Sequence, residues 1–415
     1  MTTTTPVALA EPTVPVRGRW IALLVLANLG VWMAFFTPIQ QLLPNQVQEI
    51  DPLHKETALA WVTGFGALAA VIVNPLAGAL SDRTAFRFAG RALGRRHVWT
   101  LAGALLGALA FVALANQHTV LGVALAWVAA QTCFNAMLAT LSAAVPDRVP
   151  VDQRGAVSGW IGIPQILGLV LGVVLVTVVV NGVANGYYAI AAAIVLLSLA
   201  FPLLTTDDPL PPDHRPGPIL AGLWISPREY PDYWWAWITR FLVQLGNALG
   251  TLYLLYFLAD RVHYPDPNNG LLILILVYAA MLTATAVVAG RRSDRTGRRK
   301  VYVVWSGLVM AVAAILLAAW PTWPGSIAAA AILGAGYGVY VGIDAALITQ
   351  VLPGAADRAK DLGMINIANS APQVLGPAIS APIVVHLGGY PTLYLLTAVV
   401  TVLGSVLVLR IRSVL

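Results

Sequence analysis

The sequence predicts an all-α membrane protein whose twelve transmembrane helices form two pseudo-symmetric six-helix bundles. Three observations lead there. With 59% hydrophobic and 10% charged residues and a mean hydropathy of +0.78, the chain has too little polar surface to cover a soluble globule. Twelve apolar runs are long enough to cross a hydrocarbon core of roughly 30 Å as helices. The tetrapeptide Ser-Asp-Arg-Thr closes two of them, at Ser81–Thr84 and Ser293–Thr296, and the copies lie 212 residues apart, about half of 415.

The runs are expected near 20–43, 57–80, 98–116, 119–144, 155–180, 185–205, 235–260, 269–290, 301–320, 324–351, 362–386 and 390–410. Charges and turn formers fall in the breaks, where backbone can leave a helix without stranding polar groups in lipid. The first run follows Arg17 and Arg19 and is too long for a signal-peptide core of roughly 7–15 residues, so a retained span is expected. Alternating the sides of the membrane puts 22 of the 24 Lys and Arg residues on the side of the N-terminus, leaving only Lys55 and Arg261 opposite. That bias predicts both termini in the cytoplasm of a cell (plasma or inner) membrane. It also accounts for the pI near 9.5 as topology rather than nucleic-acid binding.

The expected organisation is a tail over 1–19, a first bundle over 20–205, a linker over 206–233 and a second bundle over 234–411. Proline density after Thr205 forbids a continuous helix there. Asp207, Asp208 and Asp213 resemble the aspartate pairs of membrane prenyltransferases, but no second aspartate cluster exists, and solvated linker charge is the preferred reading. No metal or cofactor is expected. Cys133, the single cysteine, is expected to be a buried small hydrophobe. Trp20, Trp99, Trp234, Trp235, Trp320 and Trp323 near run ends are expected in interfacial belts.

The halves match beyond the tetrapeptide. Asn28-Leu-Gly30 in helix 1 corresponds to Gln244-Leu-Gly246 in helix 7 at an offset of 216, and Pro164-Gln-Ile-Leu-Gly168 in helix 5 to Pro372-Gln-Val-Leu-Gly376 in helix 11 at 208. Parallel repeats of this kind are an architecture of secondary transporters.

Over essentially its whole length the chain resembles the major facilitator superfamily. Gly78, Asp82, Arg83, Gly94, Arg95 and Arg96 supply that family's loop motif after helix 2, and Asp294, Arg295, Gly297, Arg298 and Arg299 repeat it. Asp82 and Gly94 are 12 apart where Asp294 and Gly297 are 3 apart, so residues 85 to 93 form an insertion. An extended loop beginning Ser-Asp-Arg is similar to the glycoside and sucrose cation-symporter branch, as are Gly336-Tyr-Gly-Val-Tyr340 through Asp344, Val351-Leu-Pro353 and Lys360-Asp-Leu-Gly363. His97-Val-Trp99 departs from that branch, which more often carries Arg-Pro there. The motif residues Asp82, Arg83, Arg95, Arg96, Asp294, Arg295, Arg298 and Arg299 are expected to act as gating latches, pairing with one another and with helix dipoles. The alternative is that the arginines only set topology.

No Gly-x-x-x-x-Gly-Lys-Ser/Thr loop is present, so an ion gradient rather than ATP is the expected energy source. Among the 18 acidic residues only Asp344 falls inside an apolar run. It lies about 13 Å in from the end of helix 10 and shares a helical face with Tyr337 and Tyr340. Gly334, Gly338 and Gly342 form a separate packing stripe. Low dielectric favours the neutral form of a carboxyl and a neighbouring guanidinium the charged form. Asp344, modulated by Arg240 of helix 7, is therefore the candidate proton-coupling pair, the alternative being a structural ion pair or gate.

The resemblance implies that helices 1, 4, 7 and 10 line a central cavity. They offer Asn28, Trp32 and Phe36; Gln131 and Asn135; Gln244, Asn247 and Thr251; and Tyr337 and Tyr340. Amides donate and accept while ring faces cover the apolar side of a sugar, so these are the candidate substrate-binding residues. Taken singly, each amide has interhelical hydrogen bonding as its alternative. The expectation is a monomeric alternating-access transporter in the lipid bilayer, a proton-coupled (or sodium-coupled) symporter of a neutral sugar or glycoside, and not an enzyme. The alternatives are a proton-antiporting exporter, which usually carries a Gly-Pro that is absent before Pro164, and a non-transporting pigment-delivery or assembly protein.

Overall fold

The fold is given by a computed structural model that describes the backbone of residues 12–84, 86–88, 91–207, 226–351 and 358–413. The long helices are α1 (Gly18–Ile50), α2 (Lys55–Ser81), α3 (Arg95–Ala115), α4 (Val120–Arg148), α5 (Val151–Val174, continued by Leu175–Val179) and α6 (Val183–Leu204). The second series is α7 (Pro231–Asp260), α8 (Pro267–Thr296), α9 (Arg299–Ala319), α10 (Trp323–Val351), α11 (Arg358–His386) and α12 (Gly389–Leu407). Among the described residues, eleven helices are long and apolar enough to cross a membrane. The twelfth of the series is α11, with 29 residues and Pro372, Pro377 and Pro382 inside it. Among the described residues, these twelve long helices follow one another in the order expected.

The insertion of the first half is the one departure from an all-helical fold among the described residues. There β1 (Phe86–Phe88) pairs antiparallel with β2 (Arg91–Leu93), Phe86 opposite Leu93 and Phe88 opposite Arg91. In the second half the same junction is two residues, Gly297 and Arg298. Gly297, at φ +69°, takes the left-handed conformation that closes α8, its N–H donating to Ser293 O at 2.8 Å.

Where helix ends miss the hydropathy limits, polar residues explain the difference. The first run was expected to stop near residue 43, yet α1 continues through a π turn at Pro38–Leu42 to Ile50. Its polar last turns are satisfied by the end of α3, with Gln46 Nε2 donating to Leu114 O at 2.8 Å. Side-chain caps start two helices: Thr119 accepts from the Gly122 amide before α4, and Asp266 from the Asn269 amide before α8.

The chain divides into two compact units, Met1–Ile50 with Leu68–Ala221, and Asp51–Ala67 with Gly222–Leu415. In the first, α1 packs against α5 and α6, and α3 against α4 and α6. In the second, α7 packs against α11 and α12, and α9 against α10 and α12, so the duplication reaches the level of helix neighbours. It reaches individual contacts too. Gly30 of α1 lies against Ser198 and Ile194 of α6, and its counterpart Gly246 against Thr401 and Thr397 of α12. Gly168 meets Trp32, whereas its counterpart Gly376 meets Ala248, which is Trp32 shifted by the same 216 residues.

The glycine stripe of α10 does what its spacing predicted. Gly334, Gly338 and Gly342 lie against the backbone of Tyr278, Leu282 and Ala286 on successive turns of α8, so that any Cβ would strike backbone. Thr285 Oγ1 bridges the same seam, donating to Ala335 O at 3.0 Å. Residues 51–67 are held in the second unit partly by Lys55, whose Nζ is 2.6 Å from Asp260 Oδ1 and 4.8 Å from the Tyr256 ring centroid.

Two expectations about single residues are corrected. Trp20, expected in an interfacial belt, is instead buried inside the first unit, edge-on to Phe201 at 5.7 Å. Cys133 is half-buried rather than buried, because the face of α4 that enters the core carries Phe134 and Met137 instead.

Candidate functional site

The pairing of Asp344 with Arg240 follows from two helices of the second unit meeting at a polar seam. Asp344 Oδ2 lies 3.3 Å from Arg240 Nη1, the side chains being only 13% and 16% exposed. Burial of this degree makes the attraction stronger than at a surface and makes loss of either partner costly. Tyr340, one turn before Asp344, donates from its hydroxyl to Asp344 Oδ1 at 2.8 Å.

The rest of the seam is neutral. Tyr337 donates to Gln244 Oε1 at 2.6 Å, and Gln244 Nε2 donates to Asn369 Oδ1 at 3.0 Å. The same Asn369 oxygen accepts from Arg240 Nε at 2.7 Å. Tyr278 of α8 donates to Asn247 Oδ1 at 3.3 Å and stacks on Tyr337, which stacks on Tyr340 at 6.0 Å. Thr251 turns back to its own helix, donating to Asn247 O. Expected residues Arg240, Gln244, Asn247, Tyr337, Tyr340 and Asp344 thus come together in one network. Asn369 and Tyr278 complete it without having been singled out, since neither a neutral amide nor a phenol inside an apolar run signals which neighbour it faces.

The other candidate ligand residues lie in the first unit. Trp32 stacks on Phe36 with ring centroids 5.4 Å apart, offering one aromatic platform. Asn135 donates from Nδ2 to Gln131 Oε1 at 2.8 Å, and both are buried. Asn28 is buried and donates to Leu24 O within its own helix. Asn28 therefore has the bonding of a helix-packing amide, while the Gln131–Asn135 pair retains acceptor and donor capacity at its ends.

The two motif copies are built differently. In the first, Arg96 Nη2 is 2.5 Å from Asp82 Oδ1 and its Nε is 2.7 Å from Asp147 Oδ2, while Arg95 Nη2 is 2.9 Å from Asp147 Oδ2. Arg96 also bonds Ser81 Oγ. Arg95 and Arg96 are buried, whereas Arg83 is exposed on the turn after α2. Asp147, near the end of α4, was not anticipated, since a carboxylate at a helix end is ordinarily solvated. From the sequence, Asp207 is expected to be solvated linker charge. Instead it accepts from the amides of Arg96 at 2.5 Å and His97 at 3.1 Å, filling the donors left open at the start of α3. Gly94 leaves room for it, as a Cβ there would overlap the Asp207 carboxyl. In the second copy Arg295 and Arg298 are exposed and Arg299 is half-buried at the start of α9. The Asp294 side chain, like Asp208 and Asp213, lies outside the described residues.

Comparison with known proteins fits this architecture. The sequence model described as Major Facilitator Superfamily matches residues 21–285 and again 236–414. The chain belongs to the major facilitator superfamily. This facilitator matches no curated protein sequence. Among solved structures it is similar to the nucleoside transporter NupG, with 15% identity, a TM-score of 0.67 and coverage of 95% of this chain and 98% of that one. A NupG mutant gives 14% identity, a TM-score of 0.68 and coverage of 95% and 99%. At such identity the likeness concerns the fold. As a major facilitator the protein is a membrane transporter of a small molecule and not an enzyme.

Proposed function

We propose that this major facilitator is a proton-coupled symporter of a neutral sugar or glycoside, disaccharides and nucleosides included. The observation that carries the reading is the Asp344–Arg240 pair, half-buried in the membrane-spanning part of the second unit and hydrogen-bonded into a set of neutral amides and phenols. A carboxyl at such a position is the default site for a transported proton. Protonation of Asp344 cancels its attraction for Arg240, and that change in charge is what an alternating-access cycle needs to favour one state over another. The amides and rings are suited to hydroxyl groups and to the apolar face of a sugar ring, and the network supplies no fixed charge beyond the pair itself for a charged substrate. A nucleoside, the substrate of the structurally similar nucleoside transporter NupG, is itself a neutral glycoside. The first motif copy, with Arg95 and Arg96 on Asp82 and Asp147, is assigned a gating role, and both termini are assigned to the cytoplasmic side of the cell membrane on the strength of the Arg and Lys distribution.

The test is uptake by the purified protein in proteoliposomes under an imposed pH gradient, with labelled uridine, sucrose and a panel of amphiphilic drugs. Accumulation of uridine or sucrose that a protonophore abolishes, and that Asp344→Asn eliminates, is the expected result. Accumulation of drugs alone on the acidic side, or proton-driven uptake unaltered by Asp344→Asn, would reject the reading.

A further inference from the structure

Asn369 holds one oxygen against two donors with different commitments. Arg240 and Gln244 are four residues apart on α7, so one turn presents both to the same acceptor. Arg240 Nε reaches Asn369 Oδ1 at 2.7 Å while its Nη1 holds Asp344; Gln244 Nε2 reaches the same oxygen at 3.0 Å while its Oε1 holds the Tyr337 hydroxyl. An amide oxygen has two lone pairs, and both are used here. The charged pair and the neutral amide–phenol pair are therefore linked through a single atom on α11.

We propose that Asn369 is the positioning residue that passes the charge state of the Asp344–Arg240 pair to the ligand contacts Gln244 and Tyr337. With Asp344 ionised, Arg240 divides its donors between carboxylate and amide. With Asp344 neutral, the guanidinium loses its charged acceptor and bonds Asn369 more strongly, because a hydrogen bond from a charged donor outcompetes one from a neutral amide. Gln244 Nε2 is then freed to bond a ligand hydroxyl. Binding of a ligand to Gln244 in turn leaves Asn369 to Arg240, which loosens Arg240 from Asp344 and favours its protonation. The linkage runs equally in both directions, as any coupling must. Among the described residues, the titratable and charged groups around the network are Arg240 from α7, Tyr278 from α8, and Tyr337, Tyr340 and Asp344 from α10, with Tyr302 of α9 on the adjoining core. Asn369 is the neutral contribution of α11.

This inference rests on the functional reading above, with Asp344 as the coupling carboxylate and Gln244 and Tyr337 as ligand contacts. Its test uses the full chain in proteoliposomes, with uridine and sucrose as probes. Two readouts are taken for each variant: accumulation driven by a pH gradient, and counterflow exchange at equal pH, which needs no net proton movement. Asn369→Ala removes the shared acceptor. Asn369→Asp keeps the size and the Oδ1 acceptor, but replaces the Nδ2 donor and adds a charge that competes with Asp344 for Arg240. For both, the ratio of driven accumulation to counterflow is expected to fall about tenfold, the loss of a coupling of roughly 1.4 kcal/mol, while for Asn369→Ala the KM of counterflow is expected not to rise, because Gln244 Nε2 no longer has to leave Asn369 before it bonds a ligand hydroxyl. A merely structural role lowers both readouts together and leaves their ratio alone. If both variants keep the wild-type ratio while Asp344→Asn abolishes driven accumulation, Asn369 is not the link although the function stands. If the wild-type protein accumulates neither probe, or Asp344→Asn accumulates them normally, the functional reading falls and this inference with it.

Discussion

Arg240 lies 3.3 Å from Asp344, on a helix more than a hundred positions away in sequence, and each residue is the other's charged partner within a membrane-spanning unit. The guanidinium is used as a fork, one arm on the carboxylate and another on Asn369. A lysine ammonium is a point charge and cannot span both acceptors in that geometry. Arg240→Lys is therefore expected to lower proton-driven accumulation by about tenfold or more, the loss of at least one charge-assisted bond. Uptake under a pH gradient, normalised to reconstituted protein, checks this.

The duplicated motif carries unequal structural weight. Arg96 is buried against Asp82 and Asp147, while Arg298 of the second copy is exposed. Removing one partner of a buried pair costs about 3–5 kcal/mol, whereas an exposed substitution stays within about 0.5 kcal/mol. Thermal unfolding in detergent should show a large fall in Tm for Arg96→Ala and almost none for Arg298→Ala. Equal falls would contradict the asymmetry.

Asp207 serves as a helix cap supplied from beyond α6. Asp207→Ala should cost about 1 kcal/mol, the usual loss for a cap, and should speed amide exchange at Arg96 and His97. Gly94→Ala is expected to displace the same carboxyl by filling its space. Because both act on one contact, the double variant should be no less stable than the worse single one.

Close packing of α8 on α10 depends on the absence of Cβ atoms. Gly338→Ala would push against Leu282 O and is expected to destabilise by about 1–3 kcal/mol. Gly162→Ala in α5, where nothing lies within 4 Å, is the control and should be neutral or stabilising by up to about 1 kcal/mol. The two Tm values, measured side by side, decide the point.

The sequence alone determined the number of helices, their duplication and the Asp344–Arg240 candidate pair. Hydropathy is a property summed over a stretch of about 20 residues, and a lone carboxylate inside such a stretch is conspicuous in any context. Likewise the stripe Gly334, Gly338, Gly342 announced close packing by its spacing, although not that α8 was the partner. What only the tertiary structure decided was the company each polar group keeps. Asp147 is at a helix end and Asp207 just beyond one, where solvation is the ordinary outcome, and both became half-buried partners because α3 begins beside them. Asn369 and Tyr278 carry no charge and break no periodicity; their roles arise because α11 and α8 pack where they do around α7 and α10. An unpaired buried polar group is costly wherever it sits, but which neighbour removes that cost depends on contacts made across a hundred residues of chain, and no local pattern encodes them.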